Sequence, residues 1–161
     1  MISELIENIK NHIETAITGG RLSMVKRVYY GPAQSISSIE YPAIFFNIID
    51  VGDSIINSAF PTLTIKVGLY LCTAILANKE DTAINAQSLF WSYESKEPKD
   101  RGLFPWLLEE SQKPWFVDSR RRVWKMTLDG PPRIYSDNVG PNVRGAVYVE
   151  LALKTKIDKI N

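Results

Sequence analysis

Between Leu63 and Leu76 the chain alternates in hydrophobicity. One parity carries Leu63, Ile65, Val67, Leu69, Leu71 and Ile75; the other carries Thr64, Lys66, Gly68, Tyr70, Cys72 and Ala74. A period of two predicts a strand with one buried face. Asn78 to Thr82 then supplies polar capping residues. From Ala83 the apolar spacing changes to Ala83, Ala86, Phe90 and Tyr93, with Ile84 and Trp91 beside them, which predicts a helix running to Tyr93. A strand feeding a helix that folds back over its apolar face is the seed of a core.

The other elements follow from the same pattern. Ile2, Leu5, Ile6, Ile9, Ile13, Ala16 and Ile17 form one stripe of a helix over residues 1–18, which Gly19-Gly20 ends. His12 lies at the edge of that stripe as a partly covered flank residue. Leu22 to Tyr30 reads as a strand stopped by Gly31-Pro32. Tyr41 to Asp50 carries apolar residues on both parities, which predicts burial on both faces or contact with another subunit. Val51 to Pro61 reads as a loop or hairpin arm exposing Ile55, Ile56 and Phe60. Glu94 to Gly102 is a charged linker, and Leu103 to Glu110 a short helix or turn, with Trp106 and Trp115 pinning this region to the body. Ser119 to Asp129 is read as a strand placing Arg120, Arg122, Trp124, Met126 and Leu128 on one face. Gly130 to Gly145, rich in Gly, Pro and Asn, is expected to be the least ordered stretch. Ala146 to Ile157 alternates again and closes the chain.

Clustered strands with few crossover helices predict an α+β fold: a mainly antiparallel β-sheet with an N-terminal helix and a central helix packed on one face. The expected organisation is a single domain over 1–161, with extended loops at 51–61 and 129–145.

Composition narrows the function by exclusion. With 161 residues, 45% hydrophobic and 23% charged, the chain is ordinary for a globular domain. A net charge of +1 predicts no global attraction to nucleic acid or acidic membrane. One cysteine excludes an internal disulfide, and no apolar run approaches a membrane span or a signal pattern, so an intracellular protein with no membrane partner is expected. One His and one Cys cannot build a usual zinc shell, and there is no calcium-loop spacing, P-loop or Gly-x-Gly-x-x-Gly. No catalytic residue, cofactor or metal is expected. Glu94-Ser-Lys96 and Glu97-Pro-Lys99 match a short acidic-x-Lys element of metal-dependent nucleases, which would need a rigid strand and a further acid. Arg120-Arg121-Arg122 reads as a salt-bridged strand edge, a subunit boundary, or a strip facing nucleic acid in a channel. Acidic Asp100, Glu109, Glu110 and Asp118 make intersubunit ion pairs the preferred functional reading.

The amphipathic N-terminal helix, the Tyr41-Pro-Ala-Ile-Phe45 strand, the strand-to-helix run Leu63–Tyr93 and the closing strand Arg144–Ile157 together resemble the tail-terminator and tail-completion proteins of long-tailed bacteriophages and related contractile particles. The resemblance implies an α+β subunit that forms a hexameric ring, caps the tail tube and joins it to the neck or head. It implies tail tube and neck or connector proteins as partners, with the sheath protein a further candidate and genomic DNA only as cargo through the channel. It also implies a place in the virion tail or neck after assembly in host cytoplasm. On this reading Arg120, Arg121, Arg122, Ile55, Ile56, Phe60, Arg133 and Tyr135 are expected at the subunit interface. The alternatives are a neck or head-completion adaptor, a tail tube subunit, or a small metal-dependent nuclease.

Overall fold

The computed structural model describes residues 2–31, 39–54, 62–73, 87–91, 102–139 and 142–156. Helix α1 (Ile2–Thr18) is followed by β1 (Arg27–Tyr30), β2 (Ala43–Ser54) and β3 (Thr62–Cys72). Residues 87–91 are helical. Then come α2 (Leu103–Glu110), β4 (Pro114–Val117), β5 (Val123–Leu128), β6 (Arg133–Val139) and β7 (Asn142–Lys156). The strands form one sheet in the order β1-β2-β3-β7-β5-β4, with β6 also on β7. Every pairing is antiparallel except β1 with β2. The α+β class and the mainly antiparallel sheet expected from the hydrophobic pattern are therefore present.

The alternating strand is the centre of the sheet. Leu63, Ile65, Val67, Leu69 and Leu71 are buried on one face of β3, and Val147, Val149, Leu151 and Leu153 continue that face on β7. Against it pack Leu5, Ile9 and Ile13 of α1, Phe90, and Leu103, Trp106 and Leu107 of α2. This is the inner face. The helix of 83–93 is seen in its described part, 87–91.

The two-sided apolar strand also behaves as its sequence demands. Ile44 and Phe46 join the inner core, while Ala43 and Phe45 join a second cluster on the outer face with Cys72, flanked by Tyr29, Ile39, Tyr41 and Tyr70. Cys72 is a buried free thiol within that cluster.

Four expectations need correction. The strand placed at Leu22 begins only at Arg27. Gly20, at φ 86°, lets the chain reverse after α1. Leu22 N–H then donates to Ala16 O at 2.9 Å, and Val25 N–H to Leu22 O at 3.0 Å, so a turn buries both side chains three residues apart. Of the loop or hairpin arm read at 51–61, the loop fails and the arm holds as far as Ser54, because Val51 to Ser54 pair with Ile65 to Thr62; Ile55, Ile56 and Phe60 lie outside the described residues. The strand placed at Ser119 begins at Val123, after a turn holding all three arginines.

The fourth correction is the largest. The stretch read as least ordered is a β-hairpin, β6 with β7, in register from Arg133↔Tyr148 to Val139↔Asn142. Both β5 and β6 lie against the same edge of β7, Leu128 opposite Leu151 and Arg133 opposite Tyr148. They are two halves of one arm, interrupted by Asp129-Gly-Pro-Pro132. Asp129 N–H still donates to Glu150 O at 2.8 Å, but the two prolines have no N–H with which to continue the ladder.

Gly102 fixes how α2 enters the core. A Cβ there would stand 2.5 Å from Phe90 O and 2.7 Å from Leu89 O, both backbone atoms. Gly102→Ala is therefore expected to cost about 1–3 kcal/mol by overpacking, read as a lower urea midpoint. An unchanged midpoint would remove this close approach from the account.

Candidate functional site

The chemistry-bearing residues gather at one end of the sheet, around the loop joining β4 to β5. Asp118 N–H donates to Arg122 O at 3.0 Å, and Arg121 N–H donates to Asp118 O at 2.9 Å. The Asp118 carboxylate accepts from Arg120 N–H (3.0 Å) and Arg122 N–H (2.9 Å) through Oδ1. Through Oδ2 it accepts from Arg122 Nε (2.7 Å) and Trp124 Nε1 (3.0 Å). Burial pushes this carboxyl's pKa up, but the bonds from Trp124 and Arg122 outweigh it and hold the group below the ordinary aspartate value. The loop is anchored to the body as well, since Ser119 N–H donates to Glu4 Oε1 of α1 at 2.8 Å, and hydrogen bonds from the Ser119 side chain and backbone lower the Glu4 pKa.

This geometry separates the three arginines. Arg122 is enclosed, its side chain 12% exposed against 5% for Asp118, with its guanidinium 6.0 Å from the Trp124 ring. It serves the fold of its own chain, so the intersubunit ion pair expected for it is replaced by an internal one. Arg120 and Arg121 are exposed. Arg121 adopts φ 61°, the left-handed region where a side chain costs roughly 1–2 kcal/mol and where a three-residue hairpin loop ordinarily takes glycine.

The outer face of the sheet changes chemistry along its length. At one end Phe45, Tyr70 and Tyr148 stand side by side on β2, β3 and β7, the two tyrosine rings 4.5 Å apart. In the middle Lys66 pairs with Asp129 at 3.2 Å, which raises its pKa, and Tyr148 donates to Glu150 at 3.0 Å. Beyond that lies a wide groove of about 560 Å³ reaching the arginine loop, and among the described residues no carboxylate lines it. Lys125 of β5 stands directly opposite Lys154 of β7, whose other neighbour is Thr64 of β3; Thr62 and Lys156 pair at the next outward position. Among the described residues no helix packs over this face; the core side chains that α1 and α2 contribute all lie in the inner cluster.

Of the acidic residues expected to serve a neighbouring subunit, Glu109, Glu110 and Asp118 are used internally. Glu109 binds Arg21 through two bonds of 3.2 Å. Glu110 meets His12 Nε2 at 2.9 Å and Lys113 Nζ at 3.1 Å. Burial raises the Glu110 pKa, yet the hydrogen bonds from His12 and Lys113 leave it lowered. Ionised Glu110 can only accept, so Nε2 of His12 carries the proton. The imidazole lies 4.9 Å from the Trp115 ring and 5.9 Å from Trp106. His12 is the partly covered flank residue its position predicted, here fastening α1 to α2.

Arg133 and Tyr135 lie on β6, opposite Tyr148 and Ala146, away from the arginine loop. Asp100 and both acidic-x-Lys elements fall outside the described residues. Among the described residues no cluster of His, Cys, Asp and Glu could hold a metal ion, and no helix is long and apolar enough to cross a membrane. Sequence reading singled out the arginines but missed Lys125 and Lys154. Each sits on the polar parity of its strand, and only the pairing of β5 with β7 brings them together. Comparison with protein-family models and with curated proteins found no match.

Proposed function

We propose that this chain is a structural assembly subunit of the tail-terminator kind, closing into a ring that caps a tail tube and joins it to the neck. The observation that carries the reading is the β6–β7 hairpin, which extends past the end of the sheet. At the opposite end the β2–β3 ladder closes at Ser54↔Thr62, level with Lys156 of β7. The β6–β7 hairpin runs the other way, since Asn142 to Gly145 pair only with β6 among the described strands. A subunit with such an arm can reach onto a different surface of its neighbour, as a closed head-to-tail ring requires.

The edges of the sheet support the same reading. β1 and β4 are four residues each, and Pro114 opens β4, which discourages open-ended growth by edge pairing. Contacts then fall to the β6–β7 arm and the outer face. The partners proposed are further copies of this chain, the tail tube, and the neck or connector, within the virion tail.

Purified protein is expected to give a hexamer's mass, against 18.2 kDa for one chain, and rings in negative-stain images that attach to tube ends. Replacing residues 137–144 with a short Gly-Ser turn should abolish ring formation while the thermal melt remains cooperative. Open-ended tubes would favour a tube subunit instead. A monomer at every concentration, with no attachment to tubes, overturns the proposal.

A further inference from the structure

We propose that the basic end of the outer sheet face binds the sugar-phosphate backbone of nucleic acid, through Arg120, Arg121, Lys125 and Lys154. Four observations lead there. Lys125 and Lys154 are direct cross-strand neighbours, an arrangement of like charges that destabilises a sheet unless an anion lies over both. Among the described residues neither ammonium group has an acidic partner, whereas Lys66, one step along the same face, is matched with Asp129. Arg121 occupies a left-handed position that glycine would fill without strain, and the strained backbone holds an exposed guanidinium beside the groove. The exposed Thr127 adds a neutral hydroxyl donor among the cations.

The shape selects the class of anion. A small phosphate compound calls for an enclosed pocket with converging donors. This groove is open and about 560 Å³, with its cations laid out over β5, β7 and the arginine loop, which suits a continuous polyanion lying across them. An acidic protein partner fits less well. Protein interfaces centre on apolar or aromatic anchors and are depleted in lysine, and Val123 is the sole large apolar side chain lining this groove among the described residues. The chain's net charge of only +1 makes the patch a local segregation of charge, so binding would be confined to this face.

The inference stands apart from ring assembly and is tested separately. Fluorescence anisotropy of the full chain with a short labelled DNA duplex, and with the matching single strand, should show saturable binding at low salt. Four phosphate contacts predict a loss of roughly 100-fold in duplex affinity between about 50 and about 200 mM salt. Lys125→Glu with Lys154→Glu should weaken binding by at least about tenfold and flatten the salt slope by about two. Arg121→Gly gives a control that folding failure cannot imitate: its melting temperature should hold or rise while its affinity falls severalfold. Absence of wild-type binding to either strand form at low salt overturns the proposal. Unchanged affinity in folded Arg121→Gly and in the double reversal also overturns it, and self-association lost instead would assign the face to a second copy of the chain. The hairpin-tip replacement is expected to leave DNA binding intact, so failure of one proposal is distinguishable from failure of the other.

Discussion

Asp118→Ala is expected to destabilise the protein by about 3–5 kcal/mol, the cost of removing one partner from a buried ion pair. The substitution deletes an acceptor of four hydrogen bonds and leaves the Arg122 guanidinium enclosed, with Trp124 Nε1 unsatisfied. For a chain of this length each kcal/mol moves the melting temperature by about 2–4 °C, so a fall of roughly 10 °C is anticipated. Because the groups act as a unit, Asp118→Ala with Arg122→Ala should be far less damaging than the sum of the two single changes. Additive losses would show that the four bonds contribute independently.

The same carboxylate sets part of the acid response. Its folded pKa lies below the unfolded value, so its contribution is present above the unfolded pKa and lost as pH falls through the folded one. Glu110, also lowered, acts in the same direction. Stability of the wild type should therefore decline on acidification below about pH 4, the unperturbed carboxylate range. Asp118→Asn should decline less steeply over that interval; a parallel acid curve would remove Asp118 from the response.

Trp106→Ala carries the second large effect, about 3–5 kcal/mol from lost burial and the cavity left behind. Trp106 is 2% exposed and belongs to the main core, beside His12 and close to Trp115. Its removal should loosen α2, and with α2 the Glu110 contact to His12 and the Glu109 contact to Arg21. Trp91, 41% exposed, is the matched control, and Trp91→Ala should cost well under half as much. Similar losses in urea titrations of both variants would mean that α2 is peripheral to the core.

The elements that the sequence made legible are those with a repeating hydrophobic period: the α1 stripe, the β3 alternation and the two-faced β2. There a side chain's fate depends on its parity or helical phase, which neighbours along the chain define. The hairpin of residues 133–145 was not legible, because Gly, Pro and Asn weaken strand propensity locally while the ladder to β7 supplies the hydrogen bonds. The arginine run was misread for a related reason. Alternation assigned Arg120 and Arg122 to one strand face, whereas the Asp118 carboxylate organised a turn that gave the two residues different environments.

By itself the sequence determined the α+β class, the inner core face and the absence of an internal disulfide, all consequences of residue type and spacing. Only the tertiary structure decided which charges face one another. Cross-strand register set Lys125 against Lys154, burial reserved Arg122 for Asp118, and helix docking joined His12 to Glu110 across 98 residues. Electrostatic pairing depends on distance in space, and no local period along a chain encodes it.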